Sequence, residues 1–237
     1  MRHRIFYNPF TILFTFVLFL LLSLSVSFLF LGLVSSAFVK LFNFGWEYAF
    51  VLLFLCLIGS NINVPLTTLE TEEPLPNRNF VRVFGVSYRI PLKESFIRKT
   101  TVAVNVGGAV IPTLASAYLL YIYPEAIIYC IYGILIVSLV TKMVARPVKG
   151  VGIVTPALVP PIVAALSSIL IISKFSVNPD FIFIIAYTGG TLGTLIGADL
   201  LNLRGISKIG APVVSIGGAG TFDGVFLAGI IAVLLVV

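Results

Sequence analysis

PDFIFIIAYTGGTLGTLIGADLLNL, residues 179–203, is an apolar stretch whose only charges are Asp180 at its start and Asp199 near its end. About 20 apolar residues suffice to carry a helix across a hydrocarbon core about 30 Å thick. The stretch therefore reads as a membrane helix with a carboxylate inside it. An ionised carboxylate in a bilayer costs at least about 2.5 kcal/mol, so such residues are rare and usually have a task. Gly189, Gly193 and Gly197 recur at four-residue spacing, a small-residue stripe that lets two helices approach closely in lipid. At about 100° per residue, Asp199 is turned about 200° from Gly197. The helix is expected to pack by its glycine face and present Asp199 on another.

The rest of the chain has the same character. Hydrophobic residues make up 59% of 237 residues and charged residues 10%, against about 25% charged in soluble domains. The expected fold is an all-α polytopic membrane protein, one integral membrane domain over residues 1–237. Seven helices are predicted, at about Pro9–Val39, Phe44–Val64, Thr101–Tyr121, Pro124–Val144, Val151–Ser173, Pro179–Leu203 and Thr221–Val237. The first is too long for a signal-peptide core and lacks a small-residue cleavage site, so it is read as retained. With the N-terminus inside, 13 of the 15 Lys and Arg residues fall on inner segments, and only Lys40 and Lys174 fall outside. That bias orients the chain with a cytoplasmic N-terminus and an outer C-terminus. It also assigns the net charge of +6 to lipid headgroups and not to nucleic acid.

The polar loop 67–100 is expected at the cytoplasmic face. Within it, residues 79–91 alternate apolar and polar side chains around Gly85, the pattern of a short β-hairpin or an amphipathic surface segment. Cys56 and Cys130 lie in apolar runs and read as small buried residues. The one histidine, His3, stands at the N-terminus. Zinc-protease and serine-protease constellations are thereby excluded from the helices, and no metal or cofactor is implied.

A second intramembrane carboxylate, Asp223, opens the last helix in GGAGTFDGVF, residues 217–226. Phe181 to Asp199 spans about 27 Å of helix, and Asp223 to Val237 about 21 Å, at about 1.5 Å per residue. Both carboxylates then lie just inside the cytoplasmic boundary, on helices running in opposite directions. Two carboxylates sharing one proton are the chemistry of aspartic proteases. Between them, Val213–Ile216 reads as a short strand whose edge would pair with an extended peptide. Gly217, Gly218, Gly220 and Gly224, flanking Phe222, would let backbone approach backbone or a bound peptide. Plainer roles stand beside these. Asp223 would cap a helix N-terminus, Asp199 would pair with Arg204, and Asn105 would make an interhelical hydrogen bond next to a kink at Pro112. Pro156, Pro160 and Pro161 inside the fifth helix predict a broken helix beside the site.

These residues resemble the intramembrane aspartyl proteases of the presenilin and signal-peptide-peptidase type. That family has one catalytic Asp on a helix descending to the cytosol and a second in a Gly-x-Gly-Asp motif opening the next helix. Asp199 matches the first by position and direction, and Gly220-Thr-Phe-Asp-Gly224 is a variant of the second, from Tyr187 to the chain's end. Phe222 stands where the family has glycine, and Ala198 where it often has tyrosine. The family's Pro-Ala-Leu motif lies downstream of both aspartates. Here Pro156-Ala-Leu158 lies upstream, which implies a rearranged helix order. The resemblance implies Asp199 and Asp223 as catalytic residues. It also implies Gly217, Gly218, Gly220, Phe222, Gly224, Pro156 and Leu158 as substrate contacts. The substrate would be a membrane-protein or signal-peptide-like segment. Over its whole length the chain also resembles a prokaryotic family of membrane proteins of unknown function, which places it in a prokaryotic cytoplasmic membrane. The expected function is an intramembrane aspartyl endopeptidase. The alternatives are a proton- or cation-coupled transporter with the aspartates as ion ligands, and a non-catalytic membrane scaffold.

Overall fold

The structure, a computed structural model, describes residues 9–42, 46–74, 80–83, 86–89, 95–148, 152–203, 212–218 and 224–236. The chain divides into two compact units, Met1–Leu53 and Phe54–Val237. The first contains α1 (Pro9–Phe42) and the start of α2 (Trp46–Gly59). Leu, Phe and Val side chains from Phe16 to Leu29 are largely exposed along α1.

The second unit contains α3 (Ile111–Ile122), α4 (Ile127–Val144), α5 (Val159–Phe175), α6 (Phe181–Thr188) and α7 (Gly224–Leu235). Among the described residues, three helical segments are long and apolar enough to cross a membrane: Phe16–Phe42, Pro124–Val144 and Phe181–Leu203. Trp46–Gly59, Val106–Ile122, Val159–Phe175 and Gly224–Leu235 are shorter apolar helices. The protein is a helical membrane protein.

Small residues set the helix packing. Val137, Ala164, Ala186 and Ala232 form a fully buried cluster in which α4, α5, α6 and α7 meet. The glycine stripe after α6 lies on α4. A methyl group on Gly193 would sit 2.7 Å from Val137 Cβ, and one on Gly197 would sit 2.5 Å from the Ser138 carbonyl. The other side of the same segment packs on α7, where Gly190 meets the backbone of Ala228 and Gly229 meets Thr191.

Strand structure is more extensive than the sequence predicts. β1 (Asn63–Pro74) and β4 (Ser95–Asn105) form a long antiparallel pair from Asn63 opposite Asn105 to Pro74 opposite Ser95. Two expected helices are thus corrected. The second ends at Gly59, not Val64, and the third does not begin at Thr101, because Thr101–Asn105 is strand. The segment Thr-Thr-Val-Ala-Val is β-branched at four of five positions, which favours strand over helix. Pro65 is tolerated because β1 is an edge strand and the register shifts between Pro65 and Thr67. The expected hairpin near Gly85 is present as β2 (Phe80–Val83) paired with β3 (Val86–Arg89). A small hairpin, β5 (Arg146–Val148) with β6 (Gly152–Val154), precedes α5.

β7 (Val213–Ile216), the strand expected between the aspartates, runs parallel to β4 with Thr101 opposite Val213 and Val104 opposite Ile216. The sheet order is β1-β4-β7. The directions follow from the helices. β4 leads straight into the helical segment at Val106, and β7 precedes α7, so both run toward a helix, while β1 leaves one.

Candidate functional site

The segment Gly189–Asp199 departs from α geometry. It contains two π turns, Gly189–Gly193 and Leu195–Asp199, and ends in a tighter 3₁₀ turn over 200–203. Such widened turns are common at functional sites. Here the glycines permit them, because close contact with α4 and α7 on two sides leaves no room for ordinary side chains. The constant 100° rotation expected from the sequence does not apply through this stretch. The separation of faces holds nonetheless: Gly193 and Gly197 face α4, and Asp199 meets β7. Asn202, which the sequence reading left without a role, donates to the carbonyls of Gly197 (3.0 Å) and Ala198 (2.9 Å). It thereby satisfies acceptors that the helix end would orphan.

Asp199 is half-buried, and its Oδ2 accepts the Gly217 N–H at 2.6 Å. Gly217 follows β7 at φ +73°. A Cβ there would lie 2.6 Å from Ala109 Cβ, so glycine is required twice over, by conformation and by space. Gly218 is similarly close to Ser215 Oγ and Asn105. The close backbone approach expected of these glycines is thus made to the protein itself, while a Cβ on Gly224 would meet nothing within 4 Å.

A second polar cluster fixes the sheet beside this point. Asn105 Oδ1 accepts the Gly108 N–H at 2.8 Å, and its Nδ2 donates to the Ser60 carbonyl at 2.7 Å and to Asn63 Oδ1 at 3.1 Å. Ser215 Oγ also donates to Asn63 Oδ1. Asn105 therefore caps the π turn Val106–Val110 and ties the end of β4 to β1 and to the turn after α2, and Ser215 of β7 joins the cluster through Asn63. Pro112 stands in the first turn of α3, directly after the π turn Val106–Val110. A mixed apolar cluster of Val102, Ala109, Leu195, Val214, Ile216 and Val225 lies under the sheet.

These elements line a half-open cavity of about 900 Å³. Asp199 is the one ionisable side chain on its wall among the described residues. Asn105, Ser215, Gly217, Gly218 and Gly224 line it, as do Pro156, Ala157 and Thr194. The fifth helix begins at Val159, eight residues later than expected, so Pro160 and Pro161 do not break it. They occupy its first turn, where a missing N–H costs nothing. Pro156 precedes the helix, and Leu158 is 61% exposed at its N-cap, outside the set of residues that line the cavity. Asp223, Gly220, Phe222 and Arg204 lie outside the described residues. No group of three or more His, Cys, Asp or Glu side chains able to hold a metal comes together among the described residues.

No curated protein matches the chain, and no solved structure does. A family model does match, over residues 57–235, a range that nearly coincides with the second compact unit, Phe54–Val237. The chain belongs to the family described as protein of unknown function (DUF1614).

Proposed function

We propose that this protein is an intramembrane aspartyl endopeptidase of a prokaryotic cytoplasmic membrane, with Asp199 and Asp223 as its catalytic pair. The observation that carries the reading is the placement of Asp199. It is the one described ionisable group on the wall of a large cavity, held by a backbone N–H from the turn after β7. Gly224, the covalent neighbour of Asp223, lines the same cavity, and so do Pro156 and Ala157. Residues from three distant parts of the sequence singled out by the protease resemblance therefore border one space.

In this reading seven helices span the bilayer with the N-terminus cytoplasmic and the C-terminus outside. All seven described strands fall in the connections α2–α3, α4–α5 and α6–α7, which alternating helices bring to one face. Those connections carry most of the Lys and Arg residues, as a cytoplasmic face requires. The cavity, bordered by β7 and by the end of the Asp199 helix, then opens near the cytosolic boundary, where water is available. A membrane-embedded peptide segment would unwind there and lie extended along β7, whose far edge carries, among the described residues, the Ser215–Gly218 bridge and no further strand.

Hydrolysis needs a water activated and a leaving amine protonated. One carboxylate takes a proton from water as the oxygen attacks the scissile carbonyl carbon. The other, protonated, donates a hydrogen bond to the carbonyl oxygen. Collapse of the tetrahedral intermediate breaks the C–N bond, and the amine leaves with a proton returned by the pair. The test is cleavage of a membrane-spanning reporter peptide by the full chain in proteoliposomes. Asp199→Asn and Asp223→Asn should each abolish cleavage while leaving the protein folded. Undiminished cleavage in either variant would defeat the reading. Absence of cleavage by the wild type, with proton- or cation-driven uptake instead, would favour a transporter.

A further inference from the structure

Thr194 stands out within the cavity. It is 4% exposed, it lines the cavity, and its Oγ1 is buried without a hydrogen-bond partner among the described residues. Threonine hydroxyls in membrane helices ordinarily bond back to a carbonyl one turn earlier, as Thr188 does to Ile184 at 2.7 Å. A buried hydroxyl left open costs about 1–3 kcal/mol and calls for an explanation in a bound group.

Thr194 and Asp199 are five residues apart, at the two ends of the π turn Leu195–Asp199. In an α-helix five residues rotate by about 140° beyond a full turn and would separate the two side chains. A π turn closes over five residues, so it brings them to one side. Both line the cavity. Asp199 Oδ2 is occupied by Gly217, and no bond to Oδ1 is present among the described residues.

We infer that Thr194 Oγ1 and Asp199 Oδ1 together hold the hydrolytic water, with Thr194 as a positioning residue and Asp199 as the general base. The inference rests on the protease reading and assigns the roles within it. Asp199 accepts one hydrogen of the water, and the Thr194 hydroxyl donates to one of the water's two lone pairs. The second lone pair is then left facing the cavity. Attack forms the O–C bond to the scissile carbonyl as the first hydrogen passes to Asp199 as a proton. Buried waters of this kind satisfy polar groups that have no protein partner.

Two measurements on the full chain test this. The first is a high-resolution experimental structure in lipid. A water within hydrogen-bond reach of both Thr194 Oγ1 and an Asp199 oxygen is expected. Thr194 bonded to a helix carbonyl, with no water beside Asp199, would overturn the inference whether or not the protein cleaves peptides. The second is kinetic. Thr194→Val should lower kcat about tenfold, the worth of one hydrogen bond made in the transition state, with KM little changed. Thr194→Ser should restore most of the loss. Retained protection of buried Cys130 from thiol reagents would show that Thr194→Val is folded. Unchanged kcat in folded Thr194→Val, with Asp199→Asn inactive, would remove the role of Thr194 and leave the protease reading standing. Inactive wild-type protein would remove the protease reading, and the kinetic role with it.

Discussion

The contact between the glycine stripe and α4 makes a quantitative prediction. In Gly197→Ala the new methyl carbon would sit 2.5 Å from the Ser138 carbonyl oxygen and 2.8 Å from Thr141 Cβ. Carbon atoms in ordinary contact lie about 3.5–4.0 Å apart, so the two segments must separate by about 1 Å. The nearest atom is backbone and cannot rotate aside. Overpacking of this kind costs about 1–3 kcal/mol, while the alanine gains up to about 1 kcal/mol of helix propensity. The net expectation is a loss of about 1–2 kcal/mol. Gly189→Ala is the control on the same stripe. Its nearest neighbours, the Gly133 carbonyl atoms and Val137 Cγ2, would lie at 3.5–3.7 Å, an ordinary contact. That variant should be neutral or more stable by up to about 1 kcal/mol. Thermal unfolding in detergent, read by a thiol-reactive dye, suits the protein because the Cys56 and Cys130 side chains are buried thiols outside any disulfide. About 2–4 °C per kcal/mol is expected for a chain of this size, so the two variants should bracket the wild type. Equal midpoints for Gly197→Ala and Gly189→Ala would refute the packing argument.

Other substitutions probe the site's frame. Asn105→Ala removes the cap of a π turn and strands the Gly108 N–H and the Ser60 carbonyl. A loss of about 1–3 kcal/mol is expected in the same assay, and an unaltered midpoint would show that the cap is dispensable. Gly217→Ala places a side chain at φ +73° and against Ala109, so it should cost at least about 1–2 kcal/mol. Because Gly217 is the Asp199 partner, it should also impair cleavage. Asp199→Asn keeps an acceptor for Gly217 and should unfold close to the wild type. Asp199→Leu loses that acceptor and should fall below it, and equal midpoints for the two would mean the 2.6 Å bond contributes little.

Much of the site was legible in the sequence because its signals are local. A carboxylate in an apolar run marks Asp199 without any knowledge of its neighbours. Val-Val-Ser-Ile between Pro212 and Gly217 marks a strand by its branched residues and its punctuation. Four-residue glycine spacing marked the face that packs on α4. What was missed depends on partners far away in the chain. Thr101–Asn105 is apolar enough to begin a helix; its branched residues favour strand, and pairing with Asn63–Thr68 and Val213–Ile216 on either side decides between the two. The prolines of 156–161 punctuate a helix start as readily as a break, and the choice depends on the β5–β6 hairpin before them. The π turns had no local signature, since they arise where glycines let α4 and α7 close in from two sides. Thr194 and Asn202 were passed over for the same reason: their roles follow from that widened geometry.

The proposed mechanism requires Asp199 and Asp223 to act as a pair. The most direct test is the separation of their carboxyl groups in an experimental structure of the full chain in lipid. Oxygens about 3 Å apart, as in a dyad that shares one proton, or joined through one water, are expected in the cavity that Gly217 and Gly224 line. Carboxyl groups held apart by packed side chains, with Asp223 turned away from that cavity, would contradict it.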